Sequence, residues 1–319
     1  MKPLKALIVL GVCLALLGAA GTWLFSRATA AQPCNGLPED QRIQRSVGAT
    51  VRPGMSCETL GKAIIEASVG SAGRHTEAQA QALKDVLFAL RSGEGKRLTL
   101  DPALRTPLAT ALADYAPDLH AMLGGNGSTE YVTKAAPQTP PWESGGTHHL
   151  AVFTDTLKGV LQAVAQDPQA YAMLRMAETR SAAQRLAAVP ADAKGYALTV
   201  PPTEIARALG TLDGIANAVT HEQGANRSQS WRATVVDALL SDPTTAAVEQ
   251  DPVAGGPTAL WIQGLKKTPD TERYDRLRTQ AVDMARAWTQ ERKTEAQAQQ
   301  GLLADVERTA LSASSEIKS

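Results

Sequence analysis

The dipeptide Asp-Pro occurs four times, at Asp101-Pro102, Asp167-Pro168, Asp242-Pro243 and Asp251-Pro252. No other local signal limits the fold of this chain so strongly. An Asp carboxylate accepts from the free amides of a helix's first turn, and Pro suits the first helical position, where no donor is needed. Each pair therefore predicts a helix start. Ser56 predicts another, ahead of Leu60, Ala63, Ile64 and Ala67. Thr76 to Gln79 reads as a capping box, followed by Leu83, Val86, Leu87 and Leu90 on one helical face.

The same period continues downstream. After Asp167 come Ala170, Tyr171, Leu174, Ala177 and Leu186; then Ile205, Leu209, Leu212, Ile215 and Val219 form one stripe. Ser228 or Ser230 is expected to start a segment with Trp231, Val235, Val236, Leu239 and Leu240. Residues 269–312 read as one long helix, apolar through Tyr274, Leu277, Ala281, Met284, Ala285 and Trp288, then polar, then apolar again at Leu302, Leu303, Val306 and Ala310. A polar helical middle is solvated or bridging, so this helix and its Trp288 are a candidate partner surface. Aromatics are only 4% of the chain, whereas strands favour aromatic and β-branched residues. The expected fold class is all-α.

Two triads break the rhythm, Leu98-Thr99-Leu100 and Leu198-Thr199-Val200. They are too short for independent strands, and a small bridge between them is a minor expectation. Residues 124–147 form the longest stretch without a period, and loops of that length are functional or disordered. Trp142 within it reads as an anchor that pins the loop, or else as an exposed aromatic for a partner. The expected organisation is an N-terminal segment over 1–30, a stalk or loop-like cap over 31–55, a smaller helical lobe over 56–123, the 124–147 loop, and a larger lobe over 148–313.

Residues 6–25 carry no charge. That length matches the roughly 20 residues a helix needs to span a bilayer core, and exceeds a signal peptide's apolar region. Lys2 and Lys5 favour a cytoplasmic N-terminus. The favoured reading is a retained transmembrane anchor with an extracytoplasmic body. The alternative is a signal peptide cut near Ala30, at Ala28-Thr29-Ala30. Both readings export the body. Formal net charge is zero, but Lys2, Lys5 and Arg27 flank the apolar run, and without them 29 basic residues face 32 acidic ones. A mildly acidic body argues against nucleic-acid binding. In an oxidising compartment Cys34 and Cys57 are candidates for a disulfide; in a reducing one they would be free thiols.

Catalytic signatures are incomplete. His221-Glu222 opens like a zincin motif, but Ala225 stands where the second imidazole belongs. His148 and His149 are adjacent, so on a helix they diverge; His75 and His120 lack ligand-like neighbours in sequence. Val69 replaces the first glycine of a nucleophile elbow at Ser71. The Ser315–Lys318 motif lies in the tail, and residues 92–97 lack the full phosphate-loop pattern. Glu143, Asp155, Glu178 and Asp213 are acids that spacing alone cannot pair. No catalytic residue, metal ligand or cofactor is assigned.

Residues 100–123, 148–186 and 204–219 resemble, in the same order, a group of uncharacterised, alanine-rich, helical extracytoplasmic proteins of actinobacteria. The resemblance spans roughly residues 98–265. It implies an all-α fold and carries no catalytic residue over. The expected function is a non-enzymatic interaction or scaffold module, tethered outside the cytoplasmic membrane and facing an envelope protein. The alternatives are a cell-wall hydrolase or other envelope enzyme, and an accessory of an export system. A cleft with facing carboxylates, or converging histidines, would favour an enzyme.

Overall fold

The computed structural model describes residues 33–71, 73–91, 97–125, 129–242 and 252–317. The expected anchor over 6–25 and the cleavage site near Ala30 lie outside them, as do residues 92–96, Pro243, Asp251 and Lys318. Among the described residues no helix is long and apolar enough to cross a membrane.

The body is mostly helical, and the caps Ser56, Thr76, Asp101 and Asp167 sit where the sequence placed them. Ser56 caps α2 (Cys57–Ser68), after a short α1 (Gln41–Ser46). Thr76 and Gln79 close a reciprocal capping box on α3 (Glu77–Ala89). Asp101 caps α4 (Pro102–Asp114), which turns at Tyr115 into α5 (Ala116–Leu123). A short α6 (Thr129–Thr133) leads to a hairpin of β1 (Trp142–Ser144) and β2 (Thr147–His149), paired antiparallel with Trp142 opposite His149. α7 (Thr154–Val164) follows, and Asp167 caps α8 (Pro168–Ala187) with its carboxylate on two free amides. α9 (Tyr196–Ser241) is the longest element. After it come α10 (Pro252–Lys267), α11 (Asp270–Arg273), a 3-10 turn over Asp275–Thr279, α12 (Gln280–Glu291) and α13 (Ala296–Ser315).

The stripe Ile205, Leu209, Leu212, Ile215 and Val219 is buried throughout, as are Leu83, Val86, Leu87 and Leu90. α9 crosses α13 closely because two glycines one turn apart leave room. A Cβ on Gly210 would stand 2.3 Å from the Ala310 carbonyl oxygen, and one on Gly214 2.5 Å from that of Ser314. No side chain fits there, so the helices meet backbone to backbone.

Several expectations need correction. Residues 33–55 are no stalk: Cys34, Leu37, Ile43, Val47 and Val51 are buried in the main core, so the segment is a packed cap. Its apolar residues are too few to show a period, and proline and glycine between them hide the burial. The two lobes share one continuous core running from Cys34 to Ala310. The 269–312 helix is three helices and a turn, broken at Lys293, whose φ of 53° no α-helix accepts. The helix expected to start at Ser228 or Ser230 resumes instead after Gly224, which breaks α9 with φ 71° and ψ 166°. Asp242 closes α9, and the helix expected to start at Asp242-Pro243 lies outside the described residues. Leu198-Thr199-Val200 lies inside α9, so no bridge joins it to Leu98-Thr99-Leu100.

Cys34 and Cys57 are bonded, sulfur to sulfur at 2.10 Å, across a separation of 23 residues. The bond ties the cap to the first turn of α2.

Candidate functional site

Three histidine–carboxylate pairs gather around the junction of α4 and α5, where the chain reads Asp114-Tyr115-Ala116-Pro117-Asp118-Leu119-His120. Tyr115 turns one helix into the next, so Asp114, Asp118 and His120 leave the chain in different directions.

Asp118 is the most heavily used. Its Oδ1 accepts from the Tyr131 hydroxyl at 2.5 Å and from His149 Nδ1 at 2.6 Å, and its Oδ2 accepts from the Leu150 amide at 3.0 Å. His149 Nε2 lies 3.2 Å from the Ser144 carbonyl oxygen. Both ring nitrogens therefore face acceptors, an arrangement that only the imidazolium satisfies. The hydrogen bond to Asp118 accordingly raises the His149 pKa above its ordinary 6.5. In that protonated form the ring has no lone pair with which to take a proton. Burial, and then the Asp118 charge, likewise push the Tyr131 hydroxyl far up, so it stays a donor.

The second pair fixes the same hairpin to α4. His75 Nε2 meets Asp114 Oδ2 at 2.8 Å, and the ring stacks on Tyr115 at 3.7 Å between centroids. The His75 amide donates to Thr147 Oγ1 at 2.8 Å, and the His148 amide donates to the His75 carbonyl at 2.9 Å. On a strand His148 and His149 point to opposite faces. That is why each finds its own partner and they do not converge.

The third pair is sealed inside. His120 Nδ1 and Glu178 Oε1 are 2.6 Å apart, while His120 Nε2 and Glu178 Oε2 have no partner. Both side chains are buried. Among the described residues no group of three or more His, Cys, Asp or Glu could hold a metal ion.

Lys84 completes the restraint on residues 129–149. It is fully buried, and its ammonium donates to the carbonyls of Lys134 and Thr139 at 2.8 and 2.7 Å. Burial lowers its pKa to about 8. The segment expected as an open loop is thus held by polar pins. Trp142 is part of that packing, edge-on to Tyr131 at 4.9 Å and tilted over His149 at 5.5 Å. It anchors the loop while remaining half-buried. Trp288, on α12, is 4% exposed and donates to the Leu186 carbonyl at 3.0 Å. Its edge lines a groove of about 420 Å³ with Val189, Pro257 and Arg292.

A second polar centre lies between α8, α9 and α12. Arg175 on α8 is fully buried. Its Nη1 donates to Asp213 Oδ1 at 2.5 Å and to the Tyr171 hydroxyl at 2.8 Å; its Nε donates to Gln280 Oε1 at 3.0 Å and its Nη2 to the Leu277 carbonyl at 2.6 Å. Gln280 in turn donates to Thr179 Oγ1 at 2.6 Å. Burial opposes the guanidinium charge, but Asp213 and the Tyr171 oxygen outweigh it and hold Arg175 above its usual range.

Asp213 also reaches a surface cleft of about 280 Å³ beside the α9–α13 crossing. Asp275, Arg278 and Glu307 share that cleft, with Val282 and Leu311 as an apolar wall. Of the acids singled out in sequence, Asp213 and Glu178 are each paired, but with Arg175 and His120 and not with each other. Glu143 is exposed on the hairpin, and Asp155 lies in the first turn of α7.

Arg175, Lys84 and Asp118 escaped the sequence reading, although two left a trace. Lys84 falls one turn after Ala80, and Arg175 one turn after Tyr171, each a charge on an apolar face. A charge there needs a buried partner; spacing does not say which. Comparison with known protein families, with curated proteins and with solved structures finds no match.

Proposed function

We propose that the protein is a non-enzymatic interaction module of the cell envelope, working outside the cytoplasmic membrane. The observation that carries this reading is the division of its polar groups. His75, His120 and His149 and the acids they meet are consumed in holding the fold, while an open, mixed-charge cleft stays free beside Asp213. Interaction modules are built this way, with a rigid interior and a free, complementary surface. The resemblance to extracytoplasmic helical proteins, the apolar run over 6–25 and the Cys34–Cys57 pair support the compartment.

The cleft favours a second reading, an envelope hydrolase, because Asp213, Asp275 and Glu307 all line it. Glycoside hydrolysis needs one carboxyl kept protonated beside one that is ionised. Burial raises the Asp213 pKa against the pull of the Arg175 charge, but its Oδ1 is engaged by Arg175, so the acid facing a substrate bond would have to be Asp275 or Glu307, both exposed. That geometry suits recognition of charge better than proton donation.

The compartment is tested by the thiols. In the protein's own cells, alkylation before reduction is expected to leave Cys34 and Cys57 unmodified, and alkylation after reduction to label both. Reducing the purified protein should lower its unfolding free energy by about 3 kcal/mol, the chain-entropy value for a loop of this size. Free Cys34 and Cys57 in untreated cells would contradict export.

A further inference from the structure

We propose that the cleft at the α9–α13 crossing binds a small zwitterion of the amino-acid type, its ammonium on Asp213 and its carboxylate on Arg278. The inference deepens the proposed function by naming what the same cleft recognises, and it rests on that reading of the cleft as a binding surface.

Asp213 is the built part of the site. Its side chain is only 11% exposed, and yet it lines the cleft. Its Oδ1 is occupied by Arg175, while its Oδ2 receives no hydrogen bond from any described residue. A carboxylate offers about four acceptor positions, so the edge that faces the cleft is left for a donor from that side. The carboxylate cannot swing away, because Arg175 is itself fixed by Tyr171, Gln280 and the Leu277 carbonyl. A rigid acceptor held in place before the ligand arrives loses little freedom on binding.

Arg278 supplies the opposite charge. It lines the same cleft, near enough for its charge to act on Asp213, but forms no ion pair or hydrogen bond with it. The acid and the base thus face a common space without closing it. A cation alone would satisfy Asp213 and meet the like charge of Arg278. An anion alone would meet Asp213, Asp275 and Glu307. A molecule carrying both charges satisfies both sides. Val282, Ala310 and Leu311 add an apolar wall, and Leu311 is a large side chain left 55% exposed at its rim. The volume of about 280 Å³ suits a ligand of amino-acid size with a short apolar side chain.

The test uses the full-length protein and three probes followed by saturation-transfer NMR: L-leucine, N-acetyl-L-leucine, which lacks the ammonium, and L-leucinamide, which lacks the carboxylate. Leucine is expected to saturate, and each singly charged analogue to bind about tenfold more weakly, the loss that follows from one missing charge-assisted hydrogen bond. Arg278 is exposed, so Arg278→Gln should fold normally and bring leucine down to the level of leucinamide on the unaltered protein. Asp213→Asn, if it folds, should bring leucine down to the level of N-acetylleucine. Equal binding of leucine and leucinamide, an unchanged leucine affinity in Arg278→Gln, or no saturable leucine binding would each overturn the proposal.

Discussion

Arg175→Met is expected to lower the unfolding free energy by about 3–5 kcal/mol, the cost of breaking a buried pair from one side. The substitution keeps the bulk of the side chain, so the loss is electrostatic. It leaves Asp213 without its counter-charge, and it leaves the Tyr171 hydroxyl, Gln280 and the Leu277 carbonyl without the donor that joins them. Arg175→Lys should fare nearly as badly, because a single ammonium cannot reproduce a fork that serves four acceptors. Removing both charges together, as Arg175→Met with Asp213→Leu, should recover much of the loss, since apolar replacement of a whole buried pair is often neutral. Urea unfolding followed by circular dichroism measures all three. A loss under about 1 kcal/mol for Arg175→Met, the range of a surface pair, would show that the network does not carry the packing of α8 against α9 and α12.

Asp118→Ala is the second large effect, expected at about 3 kcal/mol by the same one-sided rule. Three donors lose their acceptor at once: the Tyr131 hydroxyl, the His149 ring and the Leu150 amide. The hairpin should detach first, which Trp142 fluorescence will report because that ring packs on Tyr131 and His149. The pair also sets a pH dependence of definite sign. Asp118 raises the His149 pKa in the folded protein. The folded state therefore binds the proton more tightly, and stability falls as pH rises. The contribution is complete below the unfolded value of about 6.5 and is lost as pH climbs through the raised folded value. Lys84 runs the other way. Its folded pKa is near 8, against an ordinary 10.5, so its burial costs less as pH rises across that interval. His149→Phe should abolish the loss that sets in above the unfolded value of about 6.5 and leave the alkaline gain. Retention of the near-neutral loss in His149→Phe would assign it to another group.

The helices were legible because their signals are local. Asp101, Asp167, Ser56 and the Thr76–Gln79 box each act within one turn, and each caps the helix it precedes. The stripe from Ile205 to Val219 was legible because a helix repeats its buried face every three to four residues. What escaped depends on contacts far apart in the chain. Arg175 meets Gln280 across 105 residues, and Lys84 meets Thr139 across 55. No spacing rule links such positions. The sequence left 31–55 open between a stalk and a cap because burial there follows from the disulfide and from neighbouring helices, with no period of its own. The break at Lys293 was missed because a lysine in the left-handed region leaves no mark in an otherwise helical composition. The candidate cleft combines both kinds of failure: Asp213 was singled out as an acid, but Arg175 behind it and Arg278 beside it were not.

The central claim is that this body recognises an envelope partner and performs no reaction on it. Its most direct measurement is capture of the intact protein from native membranes after chemical crosslinking, with mass spectrometry of the adducts. The account predicts one or a few envelope proteins recovered reproducibly, and no fragments released when the purified protein is incubated with cell-wall polymer. Recovery of no reproducible envelope protein, together with release of soluble fragments that is lost on replacing Asp275 or Glu307, would contradict it.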